Sequence, residues 1–214
     1  GWRVPFLLGL LAAWIGIQIR RNMPESTLYE IAKTEERLLH NPIRTVFAQH
    51  KREVLLGIAV LIPMTCCFFF AFVYFNTFMM SELHFPASRA LIITSLGLTL
   101  SLSATLFAGW MADRHGYKPI LATGAVLGLL LAYPISASLS GTAGAERVLP
   151  AFFGFALLVG IYTSSAFAAV AGLFETEVRY SGVSLAVNIA SPIFGSTAPL
   201  LAAWLMREQG IAQG

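Results

Sequence analysis

Five stretches of the chain carry no Asp, Glu, Lys or Arg: residues 54–80, 90–112, 120–145, 148–174 and 180–206. Each is at least as long as the roughly 20 apolar residues that carry a helix across a hydrocarbon core of about 30 Å. A lipid-embedded backbone must satisfy its own hydrogen bonds, and a helix does so within a single segment. The pattern predicts five spanning helices, at about 54–80, 90–112, 119–139, 148–174 and 182–206. A sixth, shorter apolar run covers 4–19, between Trp2-Arg3 and Arg20-Arg21. Those flanks can reach the headgroups by snorkelling, which lets a short segment span. A cleaved leader is the competing reading, but no small-residue cleavage site follows. Gly1 is no initiator, so the sequence reads as a piece of a longer chain.

Composition agrees with this pattern. Of the 214 residues, 57% are hydrophobic and only 12% charged, where a soluble domain carries about a quarter. The net charge of +3 is spread over loops, so nucleic acid is not an expected partner. Cys66 and Cys67 are adjacent within a span, which indicates neither a disulfide framework nor a metal site. Basic residues mark the cytoplasmic side of a membrane protein. Ten of them fall on one side: Arg20, Arg21, Lys33, Arg37, Arg44, Lys51, Arg52, Arg114, Lys118 and Arg179. Arg3, Arg89, Arg147 and Arg207 fall on the other, so the loop 20–52 is expected in the cytoplasm and both ends outside. Within that loop, Leu28, Ile31, Leu38 and Leu39 have a partly helical spacing. Asn41-Pro42 breaks it, and Ile43, Val46, Phe47 and His50 predict a second short amphipathic helix. It serves either as a connector or as a segment lying on anionic headgroups.

The sharpest short pattern joins the runs 90–112 and 120–145: Gly109, Asp113, Arg114, Gly116, Lys118 and Pro119. Gly116 permits a left-handed backbone for a tight reversal. Arg114 and Lys118 hold the turn at the charged surface, and Pro119 suits the first turn of the next helix. Gly109 lets another helix approach one turn before Asp113. An ordinary basic turn explains Arg, Lys and Gly, but not an acid four residues after a Gly at the membrane edge. This pattern resembles the loop motif Gly-x-x-x-Asp-Arg-x-Gly-Arg-Arg/Lys of the major facilitator superfamily, departing from it at Tyr117, where the family usually has a base.

Three further stretches are similar to the metabolite:proton symporter branch of that family, whose members carry proline and betaine, α-ketoglutarate, citrate or shikimate. They are Gly1–Phe6 with Arg20, Arg21 and Pro24; Arg179–Ser184 leading to Asn188; and Phe194–Leu200 with Trp204. Glu175-Thr176-Glu177 departs from the branch, which commonly reads Phe-Pro-Thr there. The resemblance implies an all-α transmembrane bundle, partial, holding helices six to eleven of twelve. It divides the chain into a helix-six-like segment 1–20, a central loop 21–52 and a C-terminal bundle 53–214. It further implies a proton-coupled symporter of a small organic solute in the cytoplasmic (inner) membrane, whose N-terminal half lies outside this sequence. Gly109, Asp113, Arg114, Gly116, Lys118 and Arg179 would form the gate, with the acid docking on a helix of the opposite half.

Ionisable groups inside a span are costly and usually functional, but His40, His50, His84 and His115 all lie in loops or at turns. A titrating group would then belong to the other half, or to the edge positions Asp113, Glu175 and Glu177. Neutral polar residues must supply substrate contacts. Ser184, Asn188, Ser191 and Gly195 recur at steps of four, three and four, one helical face. Pro192 and Pro199 free carbonyls beside it. Asn188 and Ser191 are therefore candidate substrate-lining residues, as are Tyr162 and Thr163 in the run 148–174 and Tyr74 and Asn76 in the run 54–80. Helix packing competes for each. The six Phe around Tyr74 offer an aromatic surface for a quaternary ammonium. Ser95, Thr99 and Ser103, the stripe Thr94, Ser101 and Thr105, and the pair Gly124 and Gly128 all read first as close packing. No nucleophile–base pair is in view, so neither an enzyme nor a cofactor is expected. A channel filter is also missing from the pattern, and a facilitator or a non-transporting sensor on the same fold stays open.

Overall fold

The computed structural model describes residues 4–22, 42–139 and 145–208, every element of which is helical. The amphipathic segment expected before Asn41 lies outside these residues. The chain divides into two units, Gly1–His40 and Asn41–Gly214. In the first, α1 (Val4–Asn22) has apolar residues on all sides and ends on Arg20 and Arg21, as a helix surrounded by apolar material should.

The second unit opens with α2 (Pro42–Gln49). Next come α3 (Lys51–Phe69), a π-turn (Phe70–Tyr74) and α4 (Phe75–Ser81), which together make one continuous span of 31 residues. Helices α5 (Ala87–His115), α6 (Tyr117–Leu139) and α7 (Ala145–Ala171) come after it. The last span joins α8 (Arg179–Ala190), a second π-turn (Ser191–Gly195) and α9 (Thr197–Glu208). Five helical segments are thus long and apolar enough to cross a membrane, and the protein is a multi-pass membrane protein. The spans alternate in direction, so Lys51, Arg114, Lys118 and Arg179 share one end, called here the basic end.

Helix α7 is the most buried span, and small residues set how closely its neighbours approach. A Cβ on Gly160 would collide with the Ser101 carbonyl and the Ala104 methyl of α5. Thr105 Oγ1 lies 2.9 Å from Ser101 O and 3.1 Å from Gly160 O, tying the two helices at that point. On the other side Gly124 of α6 faces Tyr162, and Gly128 faces Leu158. Such contacts replace the hydrophobic drive that is missing between helices in lipid.

Two apolar clusters close the bundle. At the basic end Val46, Val54, Leu61, Val170, Phe174, Val178 and Ala186 pack together. Val46 of α2 is wholly buried there while Phe47 is exposed, so Val46 anchors α2 to the bundle. At the opposite end Phe72, Phe75, Val148, Phe152 and Phe155 form the second cluster.

Candidate functional site

The turn between α5 and α6 is a single residue. Gly116 has φ 87° and ψ 155°, and its N–H closes α5 on Ala112 O at 2.8 Å. Only glycine adopts that conformation readily. Asp113, Arg114 and Lys118 are exposed around it. The Arg114 guanidinium stacks 4.0 Å over the Trp110 ring, a cation–π contact that leaves Asp113 without an ion pair among the described residues. The close approach expected at Gly109 is not made within this bundle, since no atom lies within 4 Å of its Cβ position. Tyr117 packs its hydroxyl 3.1 Å from the Cβ position of Gly172, just past the end of α7. Arg179 lies in the neighbouring turn, where its Nε donates to Phe174 O at 3.3 Å and its guanidinium reaches Thr176 Oγ1 at 3.5 Å. It therefore holds the α7–α8 turn, while Asp113 and Lys118 remain free to meet another surface and Arg114 is stacked on Trp110.

The six substrate-lining candidates do not converge. Tyr162 is buried and its hydroxyl donates to Val60 O at 3.0 Å, three residues before Pro63. Tyr74 is buried too, with its ring stacked 4.9 Å from that of Phe70. Phe70 also meets Phe155 at 5.7 Å, and Phe75 meets Phe152 at 5.5 Å. The aromatic surface expected for a quaternary ammonium is thus largely turned inward, its rings paired by stacked, tilted and edge-to-face contacts, while Phe68 stays exposed.

Asn76 Oδ1 and Thr163 Oγ1 are buried with no hydrogen-bond partner. They stand in different layers. Tyr162 contacts Val60, so neighbouring Thr163 lies more than a dozen residues along α3 from Asn76, which is roughly 20 Å at 1.5 Å per residue.

The single face expected for Ser184, Asn188, Ser191 and Gly195 is also divided. Asn188 is exposed and Ser191 half-buried, but Gly195 is buried, its Cβ position 2.9 Å from Phe69. The reason is the π-turn, in which Ser196 N–H bonds Ser191 O, five residues back. Each residue it adds rotates the C-terminal remainder of the helix by about 100°. Carbonyls in and beside the π-turn accept from side chains. Ser196 Oγ donates to Pro192 O, Thr197 Oγ1 to Ile193 O at 2.6 Å, and the Cys66 thiol to Phe194 O at 3.4 Å. That role for Cys66 was not legible in the sequence; a thiol beside Pro63 was the only hint.

The two α5 stripes part company as well. Thr94 and Ser101 are buried against the bundle, whereas Ser95, Thr99 and Ser103 are exposed. An apolar groove of about 520 Å³ lies between α3, α6 and α7, lined by Pro63, Cys67, Phe70, Gly124, Phe155 and Tyr162. Its walls are almost wholly apolar and include the rings of Phe70, Phe155 and Tyr162.

Residues 1–199 match the Major Facilitator Superfamily. Curated relatives include an ectoine/proline transporter of Corynebacterium glutamicum, 28% identical over 99% of this chain and 44% of that protein. An inner membrane metabolite transport protein of Escherichia coli is 29% identical over 99% of the chain and 49% of its own length. A citrate-proton symporter of Klebsiella pneumoniae is 27% identical, over 98% and 47%. The chain thus spans about half the length of the curated relatives it matches. With five membrane-crossing helices and a family match over nearly all its residues, the chain belongs to the major facilitator superfamily.

Proposed function

We propose that this chain is part of a secondary active transporter that moves a small organic solute, a zwitterion or a carboxylate, together with protons across the cytoplasmic membrane. The observation that carries the reading is the exposed in-span polarity of Asn188 on α8 and of Ser95, Thr99 and Ser103 on α5. Polar groups at membrane depth are found against protein or water-filled cavities rather than lipid. A second half-bundle and a solute path between the halves supply both, and transporters of this kind hold solute near the midplane between repeats. The names of the relatives, covering proline, ectoine and citrate, support the solute classes.

In this reading segment 1–20 is a sixth helix, 21–52 the cytoplasmic connector and 53–214 the C-terminal bundle. Asp113, Arg114, Gly116 and Lys118 form the gate turn, with Gly109 preceding it. Arg179 braces the next turn. Asn188 and Ser191 line the solute path, while Thr163 or Asn76 supplies a further contact in its own layer. The five charge-free stretches contain no titratable Asp, Glu, Lys, Arg or His. On that ground the proton carrier belongs to the other half or to Asp113, Glu175 and Glu177. The same observation favours a second reading, a facilitator without proton coupling.

Uptake of labelled solute by proteoliposomes of the intact protein, with and without an imposed proton gradient, tests the proposal. A symporter accumulates solute only with the gradient. Equilibration indifferent to the gradient establishes the facilitator, and no movement of proline, ectoine or citrate removes both.

A further inference from the structure

The middle of the last span carries an outward hydrogen-bond acceptor, and what is inferred from it rests on the transport reading above. In the 26-residue span Arg179–Trp204, Asn188 is the tenth residue, about 5 Å from the midpoint. Its Nδ2 donates to Ser184 O at 2.8 Å. A main-chain carbonyl only accepts, so the atom facing it is the nitrogen and the orientation of the carboxamide is fixed. Oδ1 is therefore turned away from the helix, on an exposed side chain, with no partner among the described residues. One turn later stands Pro192, which has no N–H to give the Asn188 carbonyl. A side-chain acceptor thus stands beside a π-turn at mid-membrane depth. Of the nearby hydroxyls, Ser196 and Thr197 spend their protons on Pro192 O and Ile193 O, while Ser184 and Ser191 flank Asn188 one turn to either side.

Beside the Oδ1 acceptor the face carries donors, the second N–H of Asn188 and the hydroxyls of Ser184 and Ser191, which suit the carboxylate end of a zwitterion. The rings that a box for a quaternary ammonium would use are already paired with one another, Tyr74 stacked on Phe70 and Phe75 tilted against Phe152. We infer that Asn188 is a specificity residue, whose outward Oδ1 accepts a hydrogen bond from a solute ammonium that carries N–H. Secondary and primary ammonium groups satisfy the site; a quaternary ammonium of the same skeleton leaves Oδ1 unpaired in a dry environment, which is costly.

Proline and its N,N-dimethyl derivative differ only in the two N–H bonds and form the probe pair. Labelled-proline uptake by the intact protein in proteoliposomes is competed with each. Proline is expected to compete about tenfold better or more, as befits a charge-assisted hydrogen bond. In Asn188→Leu the two compete within about twofold. Asn188→Ser, which keeps a small polar side chain on the helix, gives the same loss of preference and serves if the leucine variant does not insert. Uptake with no N–H preference in the wild type overturns the inference alone. So does a preference that survives both variants while thermal stability falls, since Asn188 would then be a bond between helices. No uptake and no thermal shift with either solute overturns it together with the zwitterion reading.

Discussion

The hydroxyl of Tyr162 donates to the carbonyl oxygen of Val60 across 3.0 Å, joining α7 to α3 where Pro63 interrupts the helical ladder. The side chain that looked like a solute contact is thus engaged in helix pairing. Tyr162→Phe should therefore cost about 1 kcal/mol of stability and leave the KM for solute unchanged. Thermal unfolding of the purified intact protein and its uptake kinetics measure the two effects. A raised KM at unaltered stability would return the hydroxyl to the solute path.

Two glycines of α7 separate close packing from mere helix propensity. Gly160→Ala forces a methyl onto the Ser101 carbonyl and the Ala104 methyl, neither of which has room to yield. We expect a loss of about 3 kcal/mol, the upper range of overpacking. Gly154 has no atom within 4 Å of its Cβ position, so Gly154→Ala should stabilise the helix by about 0.5–1 kcal/mol. Equal melting temperatures for the two variants would refute the packing described for α5 and α7.

How much of this was visible in the sequence depended on how local the cause was. The spanning helices were legible because charge is excluded over whole stretches such as 90–112. The Asp113 turn was legible because Gly116 answers to its own backbone, and φ 87° is the conformation that called for glycine. Long-range facts were not visible. Thr94 and Ser95 are equally polar neighbours, yet one is buried and the other exposed, and only the position of α7 decides which. The face running from Ser184 to Gly195 failed for a different reason: a π-turn changes the helical period, and no simple spacing rule anticipates it. Prolines at 192 and 199 marked the disturbance without giving its register.

Asp113 offers a cleaner division between fold and function. It is exposed and unpaired among the described residues, while Arg114 is occupied with Trp110. Asp113→Asn should therefore change stability by no more than about 0.5 kcal/mol and lower the uptake rate severalfold, with Asp113→Glu restoring part of it. An uptake rate equal to wild type would remove Asp113 from the gate.

The unpartnered atoms of Asn76 and Thr163 make the opposite kind of test. A buried hydroxyl without a partner costs about 1–3 kcal/mol, and a methyl of the same shape removes that cost. Thr163→Val should accordingly raise stability by about 1 kcal/mol, and Asn76→Leu should be neutral or stabilising. Functional use reverses the sign of the change that matters: a residue that meets solute will gain stability on substitution and yet show a higher KM. Thr163 and Asn76 stand roughly 20 Å apart along the helices, farther than a proline-sized solute reaches. At most one of the two substitutions can then raise KM through direct contact, and whichever does so fixes the depth of the solute in this half. A rise in both would mean that the layers deduced from the Tyr162–Val60 and Phe75–Phe152 contacts do not persist through the transport cycle.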